Sequence, residues 1–311
     1  MSLKKIWLGG VLTALLLMTS CQPAPTLEIT FGGDIMLARD GMPLFEESPW
    51  SEFVPSEETL FFANLESPLS DREASGKTEG YNLCAEARQI EILKTGGVDL
   101  VTTANNHQGD CGDAESTAAI LDAGLIQNVN EATSPLYLQT RVGVVGVIAF
   151  DAVTSHLYLD KILYLVEAAK PHCDFLVVSL HWGFEYVVEP SSTQREWAQK
   201  LSDAGVDVLW GHHPHVLQPL DWVDASEGDH QMVAMYSLGN LLADQWMTWD
   251  TQHSALVTLR VTKAGVDSLN VWPFHMDPAS RRLVSPSSDS IERIEARLAN
   301  PSEIVDSPLR P

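Results

Sequence analysis

Four histidines crowd the middle of the chain, at positions 181, 212, 213 and 215, and each stands at or just after the end of an apolar run. Residues 175–180 lead into His181, and residues 206–210 lead into His212, His213 and His215. The same placement recurs upstream. Asp34 follows Gly32 and Gly33 after the alternating stretch 27–31, Glu66 follows the run 60–63, and Asn106 and His107 follow the run 98–103. Neutral imidazole is the commonest protein metal ligand. A mixed set of carboxylate, amide and imidazole donors suits manganese, iron, zinc or magnesium better than a thiolate-bound structural zinc. Two such ions about 3.5–4 Å apart would clamp an attacking and a leaving oxygen, the usual arrangement for hydrolysing phosphate esters or amides. Each signal alone has a plainer meaning. An aspartate after glycines is more often a turn residue, Asn-Leu-Glu is weak, and Asn-Asn-His is more often a loop. A His-x-His after one strand with another histidine after its neighbour favours the metal.

The elements that would position these residues read from periodicity. Runs 175–180 and 206–210 have the length of buried strands, and 193–204 between them places Trp197, Ala198 and Leu201 at helical spacing before Gly205. Parallel strands joined by a helix put their C-terminal ends on one edge, so the histidine loops should be neighbours. Further strands are expected over 27–31, 60–63, 98–103, 142–150, 232–238, 255–261 and 269–272, and helices over 85–95, 114–123 and 160–169. Residues 285–311 are rich in Ser, Pro and charge and read as a loosely attached polar tail, with at most a short helix over 291–298.

The 311 residues are 45% hydrophobic with a mean hydropathy of −0.02, which fits a globular fold rather than a multi-span membrane protein. Residues 1–21 read as a targeting segment: Lys4 and Lys5 precede an apolar stretch, 6–18, too short for a comfortable span. It ends in Leu17-Met18-Thr19-Ser20-Cys21, which resembles a bacterial lipobox. On that reading Cys21 is lipidated, 22–26 is a tether, and the chain is a cell-envelope lipoprotein anchored at the outer face of the membrane. An ordinary secretory signal is the alternative, and either exports the chain. Losing Lys4 and Lys5 takes the formal charge from −23 to −25, which argues against nucleic-acid backbones as partners. Export permits disulfides. Of Cys84, Cys111 and Cys173, the expected pair is Cys84–Cys111, because both flank the candidate site loops.

Six motifs then follow in order: Gly33-Asp34-Ile35-Met36; Asn64-Leu65-Glu66; Ala104-Asn105-Asn106-His107 with Asp110 and Gly112; His181-Trp182-Gly183 with Glu185, Tyr186, Pro190 and Gln194; His213-Pro214-His215-Val216 with Gln218; and Tyr236-Ser237-Leu238-Gly239-Asn240. Between about residues 27 and 274 the chain resembles the CapA-type poly-γ-glutamate capsule biosynthesis family, itself similar to the calcineurin-like metallophosphatases. The resemblance implies an α/β fold, a metallophosphatase-like sandwich of two mixed β-sheets flanked by helices (four layers, αββα), over residues 27–284. It also implies one or two divalent ions. Asp34 and Glu66 would be ligands, with Glu66 bridging. His181 and His213 would complete one site, and Asn106 and His215 the other. His107 would act as general acid or oxyanion anchor, with Asp110, Glu185, Tyr186, Gln218 and Asn240 around the substrate or behind the ligands. Met36 stands where the phosphatases have an imidazole, Glu66 where they have an aspartate, and His212 falls at a variable position outside the expected ligand set. Three readings stand open: a metal-dependent hydrolase of a cell-surface polymer such as poly-γ-glutamate, a polymer-binding component working with capsule synthesis or export proteins, and a general phosphoesterase. The acidic body counts against a polyanionic substrate in both polymer readings. Trp182, Trp222, Trp246 and Trp249 could line a groove or serve as packing.

Overall fold

The computed structural model describes residues 25–38, 43–45, 47–50, 53, 58–71, 82–112, 114–154 and 159–299. The expected signal segment, Cys21 and most of the tether lie outside the described residues, as do residues 300–311.

The chain begins as β1 (Leu27–Ile35), whose alternation sends Ile29 and Phe31 to one face while Thr30 bonds Thr258 on the other. There follow β2 (Leu60–Leu65), β3 (Leu69–Ser70), β4 (Ala85–Glu86), α1 (Ile90–Thr95), β5 (Leu100–Thr102), α2 (Ala114–Ala123), β6 (Gln127–Val129), β7 (Leu136–Thr140), β8 (Gly143–Asp151) and α3 (Leu159–Ala169). The second half contributes β9 (Phe175–His181), α4 (Ser192–Asp203), β10 (Val208–His212), β11 (Leu220–Asp224), β12 (Gln231–Met235) and β13 (Asn240–Leu242). It closes with α5 (Trp249–Gln252), β14 (His253–Thr262), β15 (Gly265–Met276), β16 (Leu283–Val284) and α6 (Ser288–Leu298).

One sheet runs β16-β15-β14-β1-β2-β5-β6, with β13 also paired to β1; the other runs β11-β12-β10-β9-β8-β7. Both are mixed: β1, β2, β5 and β6 pair in parallel, as do β8, β9, β10 and β12, with antiparallel strands outside them. The inward faces meet in one apolar layer, where Phe31 packs edge-on against Phe62 (5.6 Å) and Trp210 (5.3 Å). Trp210 also donates its indole N–H to Gly32 O across the layer, at 3.0 Å. Outside the first sheet, Ile35, Phe61 and Trp50 pack with Ile92 and Leu93 of α1 and Leu121 of α2. Outside the second, Ile148, Val178 and Leu180 pack with Ile162 and Val166 of α3 and Ala198 and Leu201 of α4. This is the four-layer αββα sandwich that the resemblance implied.

The histidine-bearing unit forms as expected, with α4 opened by a Ser191–Gln194 capping box. Two expectations are corrected. Residues 85–95 are not one helix: Ala85–Glu86 pairs with β3, Ala87–Gln89 makes a single 3-10 turn, and only Ile90–Thr95 is α-helical. Ala85 N donates to Pro68 O, which holds the start of this stretch extended. The loose attachment expected after residue 284 is not seen over its described part either. In place of a loose tail, α6 docks Ile294 and Leu298 against Leu217 and Ala255, while Arg293 and Arg297 meet Asp250 at 3.2 and 3.0 Å. The helix is amphipathic enough to bury one apolar stripe, and this outweighs its polar flanks. Among the described residues, no helix is long and apolar enough to cross a membrane.

Candidate metal centre

The site lies where β1, β2, β5, β9 and β10 end. β1 pairs with β14 up to Phe31 and from Asp34 onward with β13, and Gly32–Gly33 carries it across the change. A Cβ on Gly33 would fall 1.9 Å from Gly239 O, so only glycine permits this approach. Asp34 N donates to the same carbonyl at 2.9 Å, fixing the carboxylate at the strand end. Asp34 Oδ1 accepts from Asn64 Nδ2 at 2.8 Å, and Thr102 donates to Asn64 Oδ1 at 3.1 Å, which sets the orientation of that amide. Asp34 Oδ2 accepts from His213 N at 3.2 Å and lies 3.2 Å from His215 Nδ1.

Glu66 follows β2 and is held by its own N–H, which donates to Ile35 O at 3.0 Å. Its Oε1 is 3.3 Å from His181 Nε2 and its Oε2 is 3.9 Å from His215 Nε2. The turn after β10 puts His213 (φ 94°) and His215 (φ 57°) in the left-handed region, which costs a non-glycine residue roughly 1–3 kcal/mol and persists where the surroundings over-determine it. Asn240 supports His215 from behind: its Oδ1 faces Nδ1 at 3.2 Å, while its Nδ2 donates to Gln245 Oε1 and Thr251 O.

Two sets of buried ligand atoms result, Asp34–Glu66–His181 and Glu66–His213–His215, each within 4.8 Å of one another. Glu66 belongs to both. His181 occurs in the first set and His213 in the second, and their rings are neighbours, with centroids 4.9 Å apart. A divalent metal fits this donor set. The nitrogens of His181, His213 Nδ1 and Asn106 Oδ1 are buried without a hydrogen-bond partner, a situation worth about 1–3 kcal/mol of destabilisation per group unless something satisfies it. Burial, reinforced by the neighbouring His213, pushes His181 well below the usual histidine range. Burial and the nearby His215 bring His213 down to about 4. Both rings are therefore neutral near pH 7, with lone pairs available. Burial opposes the charged form of His215 as well, but Glu66 and Asp34 outweigh it and raise that ring to about 9. Asp34 is held well below the carboxylate range because the bonds from His212 and His215 outweigh its burial.

In front of these sets opens a cavity of about 560 Å³, lined by buried Met36 and His215, half-buried Asn106, His107 and Asp244, and exposed Glu185 and Tyr186. His107 Nδ1 meets Asp110 Oδ2 at 2.9 Å. That carboxylate accepts from Leu83 N at 2.6 Å, and Asp110 O accepts from Asn82 Nδ2 at 2.9 Å. The Cys84–Cys111 disulfide ties the two loops beside this dyad, the pairing expected from the sequence, and Cys173 stays free. Gln218 does not reach the cavity wall. It is buried and donates to Val187 O at 2.8 Å, holding the loop that carries Glu185 and Tyr186. The tryptophans are packing: Trp182 stacks on Tyr236 inside the second sheet's outer core, Trp222 and Trp246 pack on other core clusters, and Trp249 stacks on His253.

Three residues beside the site were not singled out for it. His212 Nδ1 lies 3.3 Å from Asp34 Oδ1, directly under the ligands, although its position had excluded it. Asn64 orients Asp34. Asp151 ends β8 opposite His181, and its carboxylate caps the turn through Val153 N and Thr154 N. The signal for His212 was its spacing, two residues beyond Trp210 and therefore on the same inward face.

The pattern of the family described as bacterial capsule synthesis protein PGA_cap matches residues 28–245. The chain belongs to this family. It is 30% identical over 291 residues to the PGA biosynthesis protein CapA of Bacillus subtilis (strain 168), covering 84% of this chain and 75% of that protein. It is also 30% identical over 304 residues to the capsule biosynthesis protein CapA of Bacillus anthracis, covering 85% of this chain and 71% of that protein. Among solved structures, a hypothetical protein from Thermus thermophilus shares the fold, with a TM-score of 0.51 at 15% identity, over 80% of this chain and 99% of that one. The span shared with the capsule synthesis family contains every candidate ligand from Asp34 to His215, and Asn240 behind them.

Proposed function

We propose that the chain is an exported, metal-dependent hydrolase that acts on a cell-surface polymer such as poly-γ-glutamate, anchored at the outer face of the membrane through Cys21. The observation that carries this reading is the shared Glu66 between two buried ligand sets, directly behind a cavity walled by Asn106 and a His107–Asp110 pair. Asp34, Glu66 and His181 would hold one ion, and Glu66, His213 and His215 the other, with Asn106 Oδ1 available to the second. Such ions polarise a substrate carbonyl or phosphoryl oxygen and stabilise the charge that develops on it. The chain's own groups do the rest. Asp110 fixes the His107 ring through Nδ1, which leaves Nε2 to hold or deliver a proton at a leaving atom. Asn240 and Asp34 hold His215 through its Nδ1, so its Nε2 faces Glu66.

One observation favours the polymer-binding reading: buried Met36 brings a thioether to the cavity wall, a poor donor for a hard ion. A single experiment decides. The purified domain is analysed for bound metal, then tested on γ-linked glutamate oligomers and phosphate esters with and without a chelator. Chelator-sensitive release of product from a glutamyl oligomer is the expected result. Metal-loaded protein that cleaves nothing but retains the polymer would overturn the hydrolase in favour of an assembly component.

A further inference from the structure

The charge pattern at the mouth of the cavity is not accounted for by the ligand sets behind it. Among the described residues lining the cavity, Glu185 and Asp244 are the carboxylates, and none is lysine or arginine. Glu185 is exposed and lines the same cavity as the candidate ligand His215. Tyr186 beside it is 44% exposed, and its ring centroid lies 6.1 Å from that of His215. The ring is fixed there: Tyr186 N donates to Pro214 O at 2.8 Å, and Gln245 Nε2 donates to the hydroxyl at 3.5 Å. Carboxylates beside a held aromatic face form an environment that attracts an ammonium group and repels a carboxylate.

We infer that Glu185, Asp244 and Tyr186 bind a primary ammonium group of the substrate, so that the site takes the amino-terminal end of a γ-linked polyanion rather than its interior. This rests on the polymer reading above. A γ-linked glutamate chain carries a carboxylate on every residue but only one ammonium, at its amino terminus. An interior stretch laid across the mouth would set carboxylate against carboxylate. The chain end supplies the one complementary charge, and it does so beside the bond that the ions would polarise. The acidic body, with 42 Asp and Glu against 19 Lys and Arg, then acts as a filter against interior segments rather than as an obstacle to the polymer.

Binding to the whole metal-loaded chain is measured by calorimetry with two probes, γ-linked triglutamate and its N-acetylated form. A carboxylate–ammonium pair in a partly screened site is worth on the order of tenfold. Acetylation should therefore weaken binding by about tenfold. Glu185→Gln and Asp244→Asn should each shrink that ratio toward unity, and Glu185→Gln should tighten the acetylated probe. Glu185 is exposed, and metal content with the thermal midpoint checks that both variants are folded. Equal affinities for the two probes, a ratio unchanged in both variants, or no binding of either probe would overturn the inference. A preserved ratio without any turnover would instead remove the hydrolase reading and leave the ammonium site in place.

Discussion

Glu66→Gln and His215→Ala should differ in how many ions they lose. Glu66 offers an oxygen to both ligand sets, while His215 belongs to one. Replacing the shared carboxylate by a neutral amide removes a charge from both sites at once, so the variant should fall from about two ions per chain to nearly none. His215→Ala leaves Asp34, Glu66 and His181 complete and should retain about one. Stability gives a second reading of the same count. An ion at a free concentration a hundred times its dissociation constant stabilises the folded state by about 2.7 kcal/mol. For a domain of this size that is roughly 5–10 °C in the thermal midpoint per ion. Chelated wild type and metal-treated Glu66→Gln should therefore both melt roughly 10–20 °C below loaded wild type, with His215→Ala in between. Elemental analysis after dialysis and scanning calorimetry provide the two measurements. Equal metal loss in the two variants, or a Glu66→Gln protein with the wild-type complement, would refute the shared-ligand arrangement.

His107→Ala should keep its metal and its midpoint but lose about 10²–10⁴-fold in turnover on any glutamyl or phosphoester substrate, because the ring is anchored by Asp110 and is outside both ligand sets; wild-type rates would remove His107 from the chemistry. Ile294→Ala, at a fully buried position on α6, should destabilise the domain by about 2–5 kcal/mol in denaturant unfolding, whereas a loosely attached segment would show less than about 0.5. Cys21→Ala should abolish incorporation of a fatty-acid analogue into the membrane fraction, and labelling that persists would count against the lipid anchor.

How legible the molecule was depends on what fixes each part. The unit around β9, α4 and β10 could be read directly, because the buried runs, the helical spacing and Gly205 all agree. The parallel crossover then forces His181 and the residues after His212 onto one edge. His212 itself was harder. Its place under Asp34 depends on the inward face of β10 continuing through Trp210 to the strand's last residue. Which candidate ligand set His181 and His213 each join depends on side-chain geometry around Glu66, which no spacing encodes. Edge strands β7 and β11 are short and half-buried, so their alternation stays close to that of loops. In α6 the apolar positions were visible, but the polar flanks concealed that Leu217 and Ala255 wait to receive them.

The exchange of partners along β1 bears on how the molecule breathes. Asp34 N and Met36 N are tied to Gly239 O and Leu242 O, and Asp34 stands in register with Asn240. Opening that seam would separate Asp34 from the residue that steadies His215, so the strand junction and the ligand set must loosen as one cooperative unit. The amide protons of Asp34 and Met36 are then natural reporters of the site. Their deuterium uptake should slow together when metal is added, and by the same factor.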